Sequence, residues 1–171
     1  MYKLRELEEF DLNIINKWRN QEELIANLGA PYRFINTNVE KKWFQNYMDS
    51  RANCVRCAIV STENEKEILG LISLTDMNSI NQSATLHLMI GGMENRGKGM
   101  GDYAVKEILK HAFYNLNLRR VELSVLSSNV AATNLYKKNG FIQEGIKKEA
   151  VYKKGNFEDI ILMAILRNSH S

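Results

Sequence analysis

The residues whose types and spacing most directly suggest chemistry are Arg96-Gly97-Lys98-Gly99-Met100-Gly101. They follow an apolar run, Ala84 to Ile90, and open an amphipathic one, Asp102 to Leu116. The first N–H groups of a helix lack internal partners and lie at the positive end of its dipole. Alternating glycines let the chain turn those groups onto one anion with no Cβ in the way. Arg96 and Lys98 add positive charge, so the pattern predicts a phosphate or pyrophosphate site. It is not a P-loop, because the Gly-x-x-x-x-Gly-Lys-Ser/Thr spacing is absent. A dinucleotide fold is disfavoured too. Glu122 lies at a suitable distance, but Gly-x-Gly-x-x-Gly is missing and too few βα units follow. The bland alternative is a flexible glycine turn.

Cys54-x-x-Cys57 has the spacing of half a zinc knuckle, but no second Cys or His pair completes four ligands, so no metal is expected. On a strand, residues three apart point to opposite faces, which favours two buried free thiols.

The elements that must position the loop are legible in the periodicity. Tyr2 to Leu7 alternates as a strand. Asp11 is placed to cap a helix carrying Leu12, Ile14, Ile15 and Trp18, and a short helical stretch runs from Gln21 to Asn27. After the loop at Pro31, Thr37-x-x-Glu40 fits a capping box opening a helix with Val39, Trp43, Phe44 and Tyr47 on one face. Cys54–Val60 and Ile68–Leu74 read as strands, and Ala84–Ile90 as a strand apolar enough to be central. The helix Asp102–Leu116 precedes a buried strand, Val121–Leu126. A helix over Asn129–Asn139 stops at Asn139-Gly140. Strands Phe141–Ile146 and Asp159–Leu166 flank a turn at Gly155-Asn156. The order is β-α-α-β-β-β-α-β-α-β-β, one domain over residues 1–171 with a loose tail from Arg167 to Ser171. His111 and His170 are expected to be solvated.

Composition excludes several classes. The 171 residues carry a formal charge of only +3, with 44% hydrophobic and 25% charged residues. That gives no case for a nucleic-acid partner. No apolar run approaches the roughly 18 residues of a membrane span. Two cysteines and a charged N-terminus point to a reducing, cytoplasmic location.

Arg-x-x-Gly-x-Gly between a central strand and a long helix resembles the acyl-CoA signature of the GCN5-related N-acetyltransferases. A second block agrees: Asn129-Val130-Ala131-Ala132-Thr133-Asn134-Leu135-Tyr136-Lys137-Lys138-Asn139-Gly140-Phe141 is similar to that family's Asn-x-x-Ala-x-x-Leu-Tyr-x-x-x-Gly-Phe. Tyr152, Gly155 and Asp159 match its closing pattern. The likeness is greatest to the branch holding ribosomal-protein, spermidine and amino-sugar acetyltransferases.

That resemblance implies an α/β fold: a mixed, mostly antiparallel sheet of six or seven strands with a splayed parallel pair and helices on both faces. It implies acetyl-CoA as co-substrate and a small amine as acceptor. The backbone of Met89, Ile90 and Gly91 would bind the pantetheine arm. Arg96, Gly97, Lys98, Gly99, Met100 and Gly101 would hold the pyrophosphate, with Asn129 and Asn134 nearby and Lys137 and Lys138 more plausibly solvated. Tyr136 matches the family's general acid. His87, alternating with Thr85 and Met89, is the candidate base, ahead of Glu122 and Glu144. Arg19, Asn20 and Tyr32 would border the acceptor. The loop Leu28 to Phe34 and the stretch Ala84 to His87 contain no Asp or Glu, which disfavours a polyamine. Arg19, Arg33 and aromatics suit a nucleotide-linked amino sugar. The alternatives are a protein N-terminal acetyltransferase and an inert acyl-CoA-binding module; a homodimer is also compatible.

Overall fold

A computed structural model of the chain describes residues 1–169. Seven strands form one sheet: β1 (Tyr2–Glu6), β2 (Val55–Ser61), β3 (Asn64–Asn78), β4 (Ser83–Ile90), β5 (Arg120–Leu126), β6 (Ile142–Lys153) and β7 (Asn156–Leu166). Their spatial order is β1-β2-β3-β4-β5-β7-β6. Every pairing is antiparallel except β4 with β5, which puts the expected parallel pair at the centre.

Alternation along the strands divides the core in two. Ile59, Ile72, Leu74 and Leu86 point to one face, under α4 (Met100–Lys110) and α5 (Val130–Lys138). Ala58, Val60, Leu71 and Met89 point to the other, under α1 (Leu12–Arg19), α2 (Glu22–Ile25) and α3 (Thr37–Asp49). Cys57 packs with the first set and Cys54 with the second, as residues three apart on a strand should. Both are free thiols, and burial pushes Cys57 up to about 11.

Several local expectations are corrected. Asp11 does not cap α1 with its side chain. Its carboxylate accepts from the Glu8 N–H at 2.9 Å and pairs with Arg5 at 2.8 Å, so it secures the turn before the helix. The cap of α3 is Asn36, whose side chain accepts from the Val39 N–H, and Thr37 is already helical. The inward stripe therefore runs through Glu40, Trp43, Phe44 and Tyr47, while Val39 faces solvent. The last turn of the α4 segment, His111–Asn115, widens to a π-turn closed by Leu116 N–H donating to His111 O. The strands β3 and β6 run longer than their apolar cores. Arg167 is not loose: its N–H donates to Arg119 O and its guanidinium to Asn117 Oδ1 at 2.9 Å. His170 lies outside the described residues.

Two long-range ties fasten the loop after α2. Asn129 Nδ2 donates to Asn27 O at 3.1 Å. Lys153 Nζ, buried on β6, donates to Ile25 O at 3.1 Å and to Ala30 O.

Candidate active site

The central parallel pair is short. Ser83, Ala84 and Thr85 pair with Arg120, Val121 and Glu122, and the two strands then part. A cleft of about 1420 Å³ opens there, lined by Leu88 to Ile90, Ser124 to Leu126, the glycine loop and one side of α5. Backbone direction decides which groups face it. Gly91 N–H donates to Leu69 O at 2.8 Å, and Gly91 O accepts from Asn95 Nδ2 at 2.8 Å. Both polar groups of Gly91 are thus spent inside the protein. Alternation turns the Met89 backbone toward β3 as well, and it leaves Leu88 and Ile90 facing the gap. Of the three residues expected to offer backbone groups there, only Ile90 turns them to the gap, and Leu88 does so as well. Gly91 has a different constraint, since a Cβ there would lie 2.0 Å from the Trp18 ring.

The glycine loop has the geometry of an anion cradle. Gly97 and Gly99 sit at φ +73° and +78°, a region that L side chains avoid. Among the described residues no hydrogen bond consumes the N–H groups of Gly97 through Asp102. Arg96 is exposed; its backbone N–H donates to Met93 O at 3.2 Å, and its guanidinium has no partner among the described residues. Tyr2 OH props the loop from behind by donating to Lys98 O at 3.2 Å. Met100 is buried beneath it, and Gly101 lets α4 approach Leu135 of α5. Asp102 locks the same two helices through Lys106, Lys138 and Asn139, contacts that hold its carboxyl down at about 2. These residues fit a diphosphate ester: free donors, positive charge and no competing anion except the paired Asp102.

On α5, Tyr136 lines the cleft and is nearly buried, edge-on to Phe141 at 5.7 Å. Burial pushes its phenol up to about 12, and its hydroxyl has no hydrogen-bond partner among the described residues. It stays protonated at neutral pH and can donate. Asn129 lines the cleft, but its carboxamide is spent on the cap to Ala132 N–H and on Asn27 O. Asn134 is exposed and lies outside the cleft lining, so the structure does not bring it to the site.

His87 reaches the cleft from the opposite face of the sheet. The protein around it, and then the Arg56 charge, lowers its pKa below the usual 6.5, with Asp76 pulling the other way. A mostly neutral imidazole results. Thr75 Oγ1 donates to Asp76 Oδ2 at 3.1 Å and lies 3.0 Å from His87 Nε2. With that hydroxyl proton committed, Nε2 is the protonated nitrogen, and Nδ1 is left as the acceptor. Arg19 also lines the cleft. Asn20 and Tyr32 do not act there. Asn20 spends both ends of its amide on Asn16 and Ile35, and Tyr32 OH donates to Asn20 O. Arg33 is exposed and lines no part of the cleft. Glu122 and Glu144 both pair with Arg120, away from the cleft. Among the described residues no cluster of three or more His, Cys, Asp or Glu could hold a metal.

The model of the acetyltransferase (GNAT) domain matches residues 2–142. The chain belongs to the GNAT acetyltransferase family. This acetyltransferase is 29% identical over 168 residues to the spermidine N(1)-acetyltransferase of Vibrio cholerae, covering 98% of the chain and 94% of that protein. It is 26% identical over 105 residues to the ribosomal-protein-serine acetyltransferase of Escherichia coli, covering 61% and 58%. The crystal structure of the Vibrio cholerae spermidine N-acetyltransferase with CoA and spermine superposes with a TM-score of 0.91 at 25% identity, covering 99% of this chain and 97% of that one. The acetyltransferase therefore uses acetyl-CoA and acetylates an amino group. No helix among the described residues is long and apolar enough to cross a membrane.

Thr75 and Asp76 escaped the sequence because β3 was expected to stop at Leu74. Asp76 sits at φ +52°, a kink that no local pattern announces.

Proposed function

We propose that the acetyltransferase transfers acetyl to a primary amine of a small molecule, an amino sugar or a polyamine, by direct attack in a ternary complex. The carrying observation is that His87 and Tyr136 meet the same cleft from opposite faces of the sheet, where β4 and β5 part. The amides of Gly97 to Asp102, with Arg96, bind the diphosphate of CoA. The backbone of Leu88 and Ile90 binds the pantetheine arm, and one N–H polarises the thioester carbonyl. His87 Nδ1 takes the proton that the amine nitrogen loses as the N–C bond forms. Tyr136 donates to the sulfur as the C–S bond breaks, and solvent returns its proton. The apolar surroundings that lift the phenol also lift the basicity of a departing thiolate, which keeps the two matched.

Thiol release from acetyl-CoA against amino sugars, polyamines and peptide N-termini tests the reading. Turnover confined to small primary amines is expected. CoA binding with no thiol release on any amine would identify an inert binding module instead. The polyamine arm is included because the Vibrio cholerae spermidine enzyme aligns over nearly the whole chain in both sequence and structure. Self-association belongs to the same proposal. A spermidine N-acetyltransferase from Vibrio cholerae has a dodecameric structure, and here Ile142, Ile146, Tyr152 and Phe157 leave the β6–β7 hairpin apolar and exposed. Sedimentation should show an oligomer; a monomer at all concentrations would refute it.

A further inference from the structure

The acceptor end of the cleft holds two guanidiniums whose Nε atoms the protein leaves unmatched. Arg56, Ser73 and His87 stand in register on β2, β3 and β4, and all three line the cleft. With strands about 4.8 Å apart, the backbone at Arg56 is about 10 Å from that at His87. The Arg56 guanidinium lies over the Trp43 ring at 4.9 Å, and that of Arg19 lies over the same ring at 4.7 Å. Nε of each is buried without a hydrogen-bond partner. Arg56 forms no ion pair among the described residues; its guanidinium has a long 3.5 Å contact to Ser73 Oγ and a neighbour in the Cys54 thiol. Arg19 approaches Glu40 at 3.0 Å, but no hydrogen bond is aligned along that contact. Burial raises the Glu40 pKa, and Arg19 opposes that shift. Asp76 is engaged with Thr75 at the His87 end.

Of the two carboxylates here, Glu40 is buried beside Arg19 and Asp76 lies at the His87 end, which leaves Arg56 without an ion pair. A guanidinium keeps its proton and offers planar, forked donors that match an oxyanion. Leaving it buried and unmatched is costly. A polycation entering here would set its ammonium groups against Arg56.

We propose that the acceptor carries an anionic group, a carboxylate or a phosphate, that docks on Arg56 and Arg19 beside Trp43 while its amine sits at His87. This rests on the transfer reaction proposed above and narrows its substrate class. The anion and the amine are separated by several bonds, as the three-strand row requires. Spermidine is then a poor acceptor despite the chain's relatives.

Matched pairs of amines test it: aminohexanoate against aminohexanol, and glucosamine phosphate against glucosamine, titrated calorimetrically into the CoA-loaded protein. The anionic member of at least one pair should bind about 10-fold tighter, the scale of one charge-assisted contact. The pair that shows the preference tells carboxylate from phosphate. Arg56→Gln should collapse the preference, Arg56→Lys should keep part of it, and Arg19→Gln should weaken it. Unchanged CoA affinity confirms that each variant is folded. If Arg56→Gln does not fold, the Arg19→Gln result decides. Equal binding within both pairs, or a preference that survives both glutamine variants, overturns the proposal. Turnover of amines regardless of charge would sink it and leave the transfer reaction standing. Tighter anionic binding without any thiol release would uphold the docking site and sink the transfer reaction.

Discussion

At the glycine-loop end of the cleft, the unspent donors are backbone N–H groups of six consecutive residues, Gly97 to Asp102. At the opposite end, the chemistry lies in side chains gathered from α1, α3, β2, β3 and β4: Arg19, Trp43, Arg56, Thr75 and His87. The first end depends on conformation, and almost any side chain that permits the loop would serve. The second depends on identity, because replacing one group changes charge or proton capacity directly. A family can therefore keep one end while varying the other, as relatives named for spermidine and for a ribosomal protein illustrate.

Tyr136→Phe gives the largest expected effect. It should lower kcat about 100-fold or more, the scale of a lost proton donor, and leave the Kd for CoA unchanged. Stopped-flow thiol release and calorimetry separate the two quantities, and a matching loss of CoA affinity would erase the division between the ends. His87→Ala should cost about 100-fold in kcat/KM for the acceptor, the lower end of what a positioned base contributes. The sign of its pH dependence follows from the lowered pKa. The neutral imidazole is the active form, so activity rises with pH through a limb centred below 6.5. That limb should vanish in the variant, and a limb that persists would assign it to another group. Gly99→Ala should be smallest and should act at the other end alone. Holding alanine at φ +78° costs on the order of 1 kcal/mol, so CoA affinity should fall by about 5-fold while kcat at saturation holds.

The same contrast explains what the sequence could tell. The loop and the Tyr136 helix are local strings, and each carries its chemistry in one run of residues. The mixed sheet and its splayed parallel pair followed from the family likeness to those strings, whereas the spatial strand order did not. The acceptor end was only partly legible. Strand alternation put His87 on the face where it lines the cleft, whereas Asn20 and Tyr32 lie outside the lining, their polar atoms consumed by hydrogen bonds to Ile35 and Asn20. Arg56 was passed over because its register with Ser73 and His87 exists only after three strands pair. Gly91 looked like a contact to the arm, whereas its packing against Trp18 joins residues distant in sequence.

The ties from Asn129 and Lys153 to the segment between Ile25 and Ala30 span 102 and 128 positions along the chain. A nascent polypeptide therefore cannot fasten that rim until β6 has left the ribosome. Such distant closures slow folding. That wall of the cleft is therefore fastened by residues made late, and it settles only once β6 and β7 have joined the sheet beside β5.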